Sequence, residues 1–335
     1  MNFISKDAQT RVARVIFRSH GFVRLQRGEQ ISSGIFLKST NPIVGDHVVV
    51  RDWEAVPWVI DEVLPRTSLL KRKDPGGGEQ ELAANVDWVW LVTSANQDLN
   101  PRRLERLLSL VWSSGAQPRL VITKADLCAD RENMLSFLSG RFACVPVHLI
   151  SSLAGEGLAE LEATLSEGVT ITMLGSSGVG KSTLTNRLLG REQQVTQGIR
   201  SDDDKGRHTT TSRELFVLPG GAFLIDQPGL REVHLVDGEA GIEKVFEDLA
   251  RLEGECRFSD CRHQAEPGCA VLFAFENGDI DEDRWASYQK LQREAAFARA
   301  KDSKSLRLRQ KERGKKIQKH LNQLNKERKN ERGDW

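Results

Sequence analysis

Apolar positions along the chain fall into distinct regimes. Residues 1–70 carry short β-rich runs at 12–17, 21–25, 48–50 and 58–60, separated by Gly, Pro, Asn and Asp. That spacing predicts a small barrel of the OB kind, a fold that often binds RNA. From residue 86 onward, continuous apolar runs alternate with helical periods. Residues 86–92, 119–122, 145–150, 169–174 and 223–225 read as buried strands. Between the first two, Leu104, Leu107, Leu108 and Val111 follow the i, i+3, i+4, i+7 pattern behind a capping Asn100-Pro101. A second helix runs through Met134, Leu135 and Leu138. Strands alternating with helices imply a parallel sheet with right-handed crossovers, and such sheets bind ligands beyond the C-terminal ends of their strands. A further helix is predicted over 239–252, with Ile242, Val245, Phe246 and Leu249 on one face. Residues 303–333 are apolar only at Leu306, Leu308, Ile317, Leu321 and Leu324, which predicts a solvent-exposed helix.

Between the first two regimes lies Lys71-Arg72-Lys73-Asp74-Pro75-Gly76-Gly77-Gly78-Glu79-Gln80, which reads as a charged, glycine-rich linker. The expected organisation is therefore multidomain. It comprises an all-β barrel at 1–72, an α/β domain at 80–236, a mostly α domain at 237–300 and a basic tail at 301–335.

Charge sharpens this division. The net charge is +1, but residues 301–335 hold 13 Lys/Arg against 5 Asp/Glu, leaving the tail at +8 and the rest at −7. A basic tail points to a polyanionic partner with strongly salt-dependent contact. Charged Lys6, Asp7, Arg11 and Arg14 interrupt the N-terminal apolar residues, so no secretory segment is expected. No apolar run approaches membrane length. Three of the 5 cysteines cluster with a histidine, which suits a metal in a reducing compartment better than disulfides. Cys128 and Cys144 read as ordinary thiols. A cytoplasmic protein is expected.

The chemistry centres on Gly175-Ser176-Ser177-Gly178-Val179-Gly180-Lys181-Ser182-Thr183, which satisfies G-x-x-x-x-G-K-[ST]. A predicted strand precedes it and a helical pattern follows, the context a phosphate-binding loop requires. Its glycines let backbone N–H groups and the helix N-terminus face an anion. Lys181 is placed to reach β- and γ-phosphates, and the Ser182 hydroxyl to ligate Mg²⁺.

Other polar motifs stand at predicted strand ends. Thr123-Lys124-Ala125-Asp126 is close to the guanine-reading N-K-x-D. The Asp126 carboxylate can accept two N–H bonds from guanine, a donor pair that adenine lacks. Ser151-Ser152 resembles a serine loop that backs the base. Arg207-His208-Thr209-Thr210-Thr211 is a hydroxyl-rich switch candidate. Asp226-Gln227-Pro228-Gly229 is a D-x-x-G in which Asp226 holds Mg²⁺ through water and the Gly229 amide reaches the γ-phosphate. Leu230 follows, where many GTPases carry a water-orienting Gln. His208 is then the candidate to position water, alongside a group supplied by a partner. Cys256, Cys261, His263 and Cys269 lie within 14 residues and suit a closed, structural Zn²⁺ site.

The motif order is guanine motif, serine loop, phosphate loop, threonine switch, D-x-x-G, whereas ordinary GTPases begin with the phosphate loop. With Ala83-Ala84-Asn85-Val86-Asp87 and the cysteine cluster, the chain resembles the circularly permuted bacterial ribosome small-subunit-dependent GTPases (RsgA type) over roughly residues 10–290. The resemblance implies an OB barrel, a permuted G domain and a zinc domain. It implies an enzyme that binds 16S rRNA and acts in late maturation of the 30S subunit. Hydrolysis is then slow alone and stimulated by the small subunit, and it assists release of an assembly factor. A monomer that binds GTP and GDP is expected. Thr123 where Asn is commoner, and Gln227 where many members have Thr, depart from the pattern. The competing readings are a P-loop ATPase, against which Asp126 argues, and a nucleotide-gated RNA-binding scaffold, for which Leu230 argues.

Overall fold

The computed structural model describes residues 11–19, 21–37, 40–53, 56–73, 79–96, 99–190, 213–226 and 239–300. Strands β1 (Val12–Ser19), β2 (Phe22–Arg27), β3 (Gln30–Ile35), β4 (His47–Trp53) and β5 (Val56–Val63) run in the order β1-β2-β3-β5-β4. An antiparallel β1–β4 pairing closes them into a five-stranded barrel. Val15, Val23, Leu25, Val48, Val50 and Ile60 fill it, inward-facing positions on the alternating pattern of half-buried strands. β3 was absent from the sequence-based expectation because Ser32, Ser33 and Gly34 hide its period. Gly34 is needed there, since a Cβ at that position would lie 2.6 Å from Leu25 Cδ1.

The linker expected at 71–80 is corrected by the structure. β6 (Leu69–Lys73) and β7 (Glu79–Ala84) pair as an antiparallel hairpin, Leu69 opposite Ala84 and Lys73 opposite Glu79. Leu70, Leu82 and Ala83 are buried in the α/β core, so both arms belong to packed structure.

The central layer contains β8 (Trp88–Ser94), helix α1 (Pro101–Ser113), β9 (Gln117–Thr123), α2 (Arg131–Arg141), β10 (Val147–Leu149), α3 (Leu158–Glu162), β11 (Thr170–Leu174), α4 (Lys181–Leu188), β12 (Arg213–Val217) and β13 (Phe223–Asp226). Strands β10-β9-β8-β11-β13 are parallel, as expected. The antiparallel β12 then joins β13 to β1, so the barrel and the parallel strands share one 11-stranded sheet. Asn100 caps α1 by accepting a 3.0 Å bond from the Arg103 N–H, and Leu104, Leu108 and Val111 are buried.

The barrel is seated by polar contacts. Arg14 of β1 donates to Thr170 Oγ1 at 2.6 Å and lies over the Phe223 ring. The Thr170 N–H donates to Asp87 Oδ2 at 2.7 Å. Burial lowers the Arg14 pKa to about 10, an effect that Asp87 partly offsets. Asn85 takes a positive φ of 54° and bridges the Thr67 N–H and the Gly45 carbonyl, which gives the 83–87 segment a structural reason.

Helices α5 (Glu239–Val245), α6 (Glu247–Gly254) and α7 (Ala270–Glu276) follow, and residues 282–300 are helical. The single helix expected over 239–252 is broken at Phe246 (φ −121°, ψ 36°). Its apolar face is nonetheless buried as expected. α5 packs tightly on α1: a Cβ at Gly241 would lie 2.0 Å from the Ser109 carbonyl oxygen. Beside this contact sits Glu105, fully buried, with Arg141 at 2.8 Å and Arg284 at 3.5 Å. Arg102 pairs with Asp283, and Arg106 with Glu294 at 2.8 Å. Among the described residues no helix is long and apolar enough to cross a membrane.

Candidate nucleotide site and metal centre

The described motif residues gather at the carboxyl ends of the parallel strands. Thr123 ends β9, Asp226 ends β13, and the phosphate loop leaves β11. Gly175 has φ 155°, and a Cβ there would meet the Val92 carbonyl oxygen at 2.0 Å. The loop can therefore lie against β8 only without a side chain. Gly180 caps α4 with φ 97°, and the helix begins at Lys181. Lys181 Nζ donates to the Gly175 and Ser176 carbonyls at 2.6 and 2.5 Å, inside the arch that Gly175–Thr183 forms. Val179 is buried beneath the loop, while Ser177 and Gly178 are exposed.

The guanine-type motif is tied to this loop by two side chains. Thr123 is buried, and its Oγ1 lies 2.5 Å from the Val179 carbonyl oxygen and 3.1 Å from that of Thr93. Lys124, in the left-handed region at φ 58°, donates from Nζ to the Gly178 carbonyl at 3.0 Å. Ala125 is buried in a short 3-10 turn and Asp126 is exposed. The Ala125 N–H donates to the Ile150 carbonyl at 3.0 Å, which fixes the motif against the strand leading to the serine loop. Ser151 is buried, and its Oγ accepts from the Ala154 N–H at 3.1 Å. Ser152 Oγ is buried with no hydrogen-bond partner among the described residues. Ser182 and Thr183 open α4, and Asp226 is exposed at the strand end. His208, Thr209, Thr210, Thr211, Gln227, Gly229, Leu230 and the basic tail lie outside the described residues.

The second cluster lies in the C-terminal part. The ligand atoms of Cys256, Cys261, His263 and Cys269 all fall within 4.8 Å of one another. Cys256 Sγ is 3.9 Å from Cys269 Sγ, and His263 Nδ1 is 3.6 and 3.4 Å from those two sulfurs. A tetrahedral Zn²⁺ with bonds of about 2.3 Å to sulfur and 2.0 Å to nitrogen sets edges of about 3.8 and 3.5 Å. The donor set fits that ion, as does the spacing of Cys256, His263 and Cys269. His263 adopts φ 57°, in the left-handed region. Its other nitrogen, Nε2, faces Glu253 Oε1 at 3.4 Å, a contact that sequence reasoning missed.

A phosphate loop reached only after guanine-type and serine loops, on adjoining parallel strands, defines a P-loop nucleotide-binding protein of permuted order. The RsgA GTPase family model matches residues 63–236, about half of the chain. The chain is 44% identical over 288 residues to the "Small ribosomal subunit biogenesis GTPase RsgA 2" of Vibrio parahaemolyticus, covering 85% of this chain and 79% of that one. The crystal structure of YjeQ from Thermotoga maritima matches with TM-score 0.65 at 28% identity, over 85% of this chain and 98% of that one. The structure of YloQ, described as a circularly permuted GTPase, matches with TM-score 0.62 at 25% identity, over 85% and 95%. The chain belongs to the RsgA GTPase family. An ABC transporter model also matches, at residues 158–332; its span includes the phosphate loop, a feature of P-loop nucleotide-binding proteins at large.

Proposed function

We propose that this protein hydrolyses GTP and acts in maturation of the small ribosomal subunit. The observation that carries the reading is the pair of bonds from Thr123 and Lys124 to the Val179 and Gly178 carbonyls, which joins a base-reading loop to a phosphate loop. Asp126 accepts two hydrogen bonds from guanine, the Lys124 stem covers the base face, and Ser151 and Ser152 back it. The amides of Gly175–Thr183 and the Lys181 ammonium hold the phosphates. Lys181 exchanges its two loop carbonyls for phosphate oxygens when nucleotide enters. Ser182 and Asp226 are the residues to hold a Mg²⁺ that neutralises charge developing on the phosphates. Leu230 cannot orient water, so His208 or a ribosomal group does so, and turnover without the subunit is slow.

In this reading the barrel of β1–β5 is an OB module that contacts 16S rRNA, and residues 80–236 are the core of the permuted G domain, joined by the β6 arm packed into it. Residues 237–300 are a domain organised by structural Zn²⁺, and the basic tail (301–335) adds phosphate contacts. The protein works as a cytoplasmic monomer. Hydrolysis is coupled to release of an assembly factor and of the protein itself. Co-sedimentation with purified 30S subunits tests the partner. Retention in a non-hydrolysable GTP analogue, weaker retention in GDP and loss at raised salt are expected. Equal failure to sediment in every nucleotide state contradicts it.

A further inference from the structure

The metal cluster has an organised surrounding that its four ligands do not explain. Glu253 comes from α6 and Tyr288 from the helical residues 282–300. The Tyr288 hydroxyl donates to Glu253 Oε2 at 2.7 Å, and Glu253 Oε1 lies 3.4 Å from His263 Nε2. His263 Nδ1 is the ring atom that faces the sulfurs. The carboxylate thus divides its two oxygens between a phenol on one helix and the outward nitrogen of the ligand imidazole. The Trp285 ring meets His263 edge-on, with centroids 5.3 Å apart, and packs against Tyr288 at 5.6 Å. Tyr288 itself is buried, at 2% exposure.

We propose that Glu253 and Tyr288 are positioning residues of the metal site. Glu253 accepts the Nε2–H of His263, which fixes the tautomer that presents Nδ1 to the metal. Tyr288 holds the carboxylate in place for that bond. A histidine ligand whose second nitrogen is anchored in this way is oriented before the ion arrives and is a stronger donor. The anchor also reaches beyond the site. Arg284 stands one helical turn before Tyr288 and binds Glu105 of α1 and Asp248 of α6, the latter at 2.9 Å. One helix therefore carries both the outer support of the metal and the ionic contact with the α/β layer.

This inference rests on the zinc reading of the Cys₃His cluster, and the experiment separates the two. The full-length protein is purified under reducing conditions and its zinc content measured. A protein that neither retains zinc nor takes up Zn²⁺ or Co²⁺ overturns the metal reading itself. About one zinc per chain supports that reading and opens the second comparison. Zinc affinity is then measured against a chromogenic chelator for the wild type, Glu253→Ala, Glu253→Gln and Tyr288→Phe. A loss of about tenfold to a hundredfold is expected for Glu253→Ala. Smaller losses are expected for Glu253→Gln and Tyr288→Phe, which alter a single polar atom and keep the packing. The visible absorption of the Co²⁺-loaded protein shifts in the same order. Wild-type zinc affinity and Co²⁺ spectrum in the two conservative variants, with one metal bound, would overturn the assignment. So would a fall in thermal stability in those variants with no change in either metal readout.

Discussion

Thr123 Oγ1 lies 2.5 Å from the carbonyl oxygen of Val179, although the two residues stand 56 positions apart. The contact joins the loop that would read the base to the loop that would hold the phosphates. The same hydroxyl lies 3.1 Å from the Thr93 carbonyl oxygen, so one donor sits between two acceptors at the centre of the site. The residue differs from the Asn common at this place in the family, yet it retains a donor aimed at the phosphate loop.

Thr123→Val keeps the shape and removes that donor. A neutral hydrogen bond contributes about 1 kcal/mol net, and a buried acceptor left unpaired adds to the loss. GTP affinity is expected to fall by about tenfold, and thermal stability without nucleotide to fall modestly as well, because the bond belongs to the fold itself. Titration of a fluorescent GTP analogue checks the first part, and thermal melts without nucleotide check the second. Thr123→Asn supplies an amide donor and is expected to bind within a few-fold of the wild type.

Asp126→Asn replaces an acceptor-only group with one that also donates. Guanine loses a charge-assisted pair of bonds, each contributing about 1.5–3 kcal/mol, so GTP affinity falls more than a hundredfold. A xanthine base carries an acceptor where guanine has its amino group, and the variant is expected to gain affinity for xanthosine triphosphate. Competition between the two nucleotides reads out the exchange, and an unchanged preference for GTP would place the base elsewhere.

The phosphate loop and the cysteine cluster were legible in the sequence because their chemistry depends on fixed spacing. Gly175, Gly180 and Lys181 must stand where they do for the chain to turn against Val92 and open a helix. Elsewhere the signal was weaker than the packing. Residues 71–80 read as a linker because their charged, glycine-rich sequence outweighs the buried Leu70, Leu82 and Ala83 that flank them. β3 is polar in sequence because it is mostly exposed, and its one buried position is Gly34, which lies against Leu25. The break between α5 and α6 falls at a buried Phe246 packed on Tyr288 at 5.2 Å, with no Gly or Pro to mark it. The Glu253–Tyr288 pair spans 35 positions, and only the tertiary fold brings it to the metal cluster.

Zinc removal is expected to loosen the C-terminal part more than the barrel or sheet. Trp285 lies edge-on to His263, so chelation under reducing conditions is expected to change tryptophan emission. Thermal stability falls in parallel, because the 256–269 segment has only a small core to replace the ion. Hydrogen exchange should rise first in 247–276 and then across the α1–α5 contact. Uniform protection with and without chelator would contradict this.

Glu105 gives the contact between the C-terminal helices and α1 a pH dependence. Burial raises its pKa, opposed by a bond from Ser287 and by the charges of Arg141 and Arg284. A carboxyl that titrates higher in the folded than in the unfolded chain binds more protons when folded. Its contribution to stability therefore falls as pH rises from the ordinary carboxylate range through the raised value, then levels off. Glu105→Gln removes that slope. Thermal melts of both proteins at a series of pH values isolate it, and parallel curves would contradict the assignment.

The most direct measurement is the GTP hydrolysis rate with and without purified 30S subunits, repeated across a salt series. A slow basal rate is expected, raised many-fold by the subunit and returned toward basal as salt rises, because the contacts are to RNA phosphates. ATP should not substitute. A rate indifferent to the subunit, or equal turnover of ATP, would contradict a small-subunit-dependent GTPase.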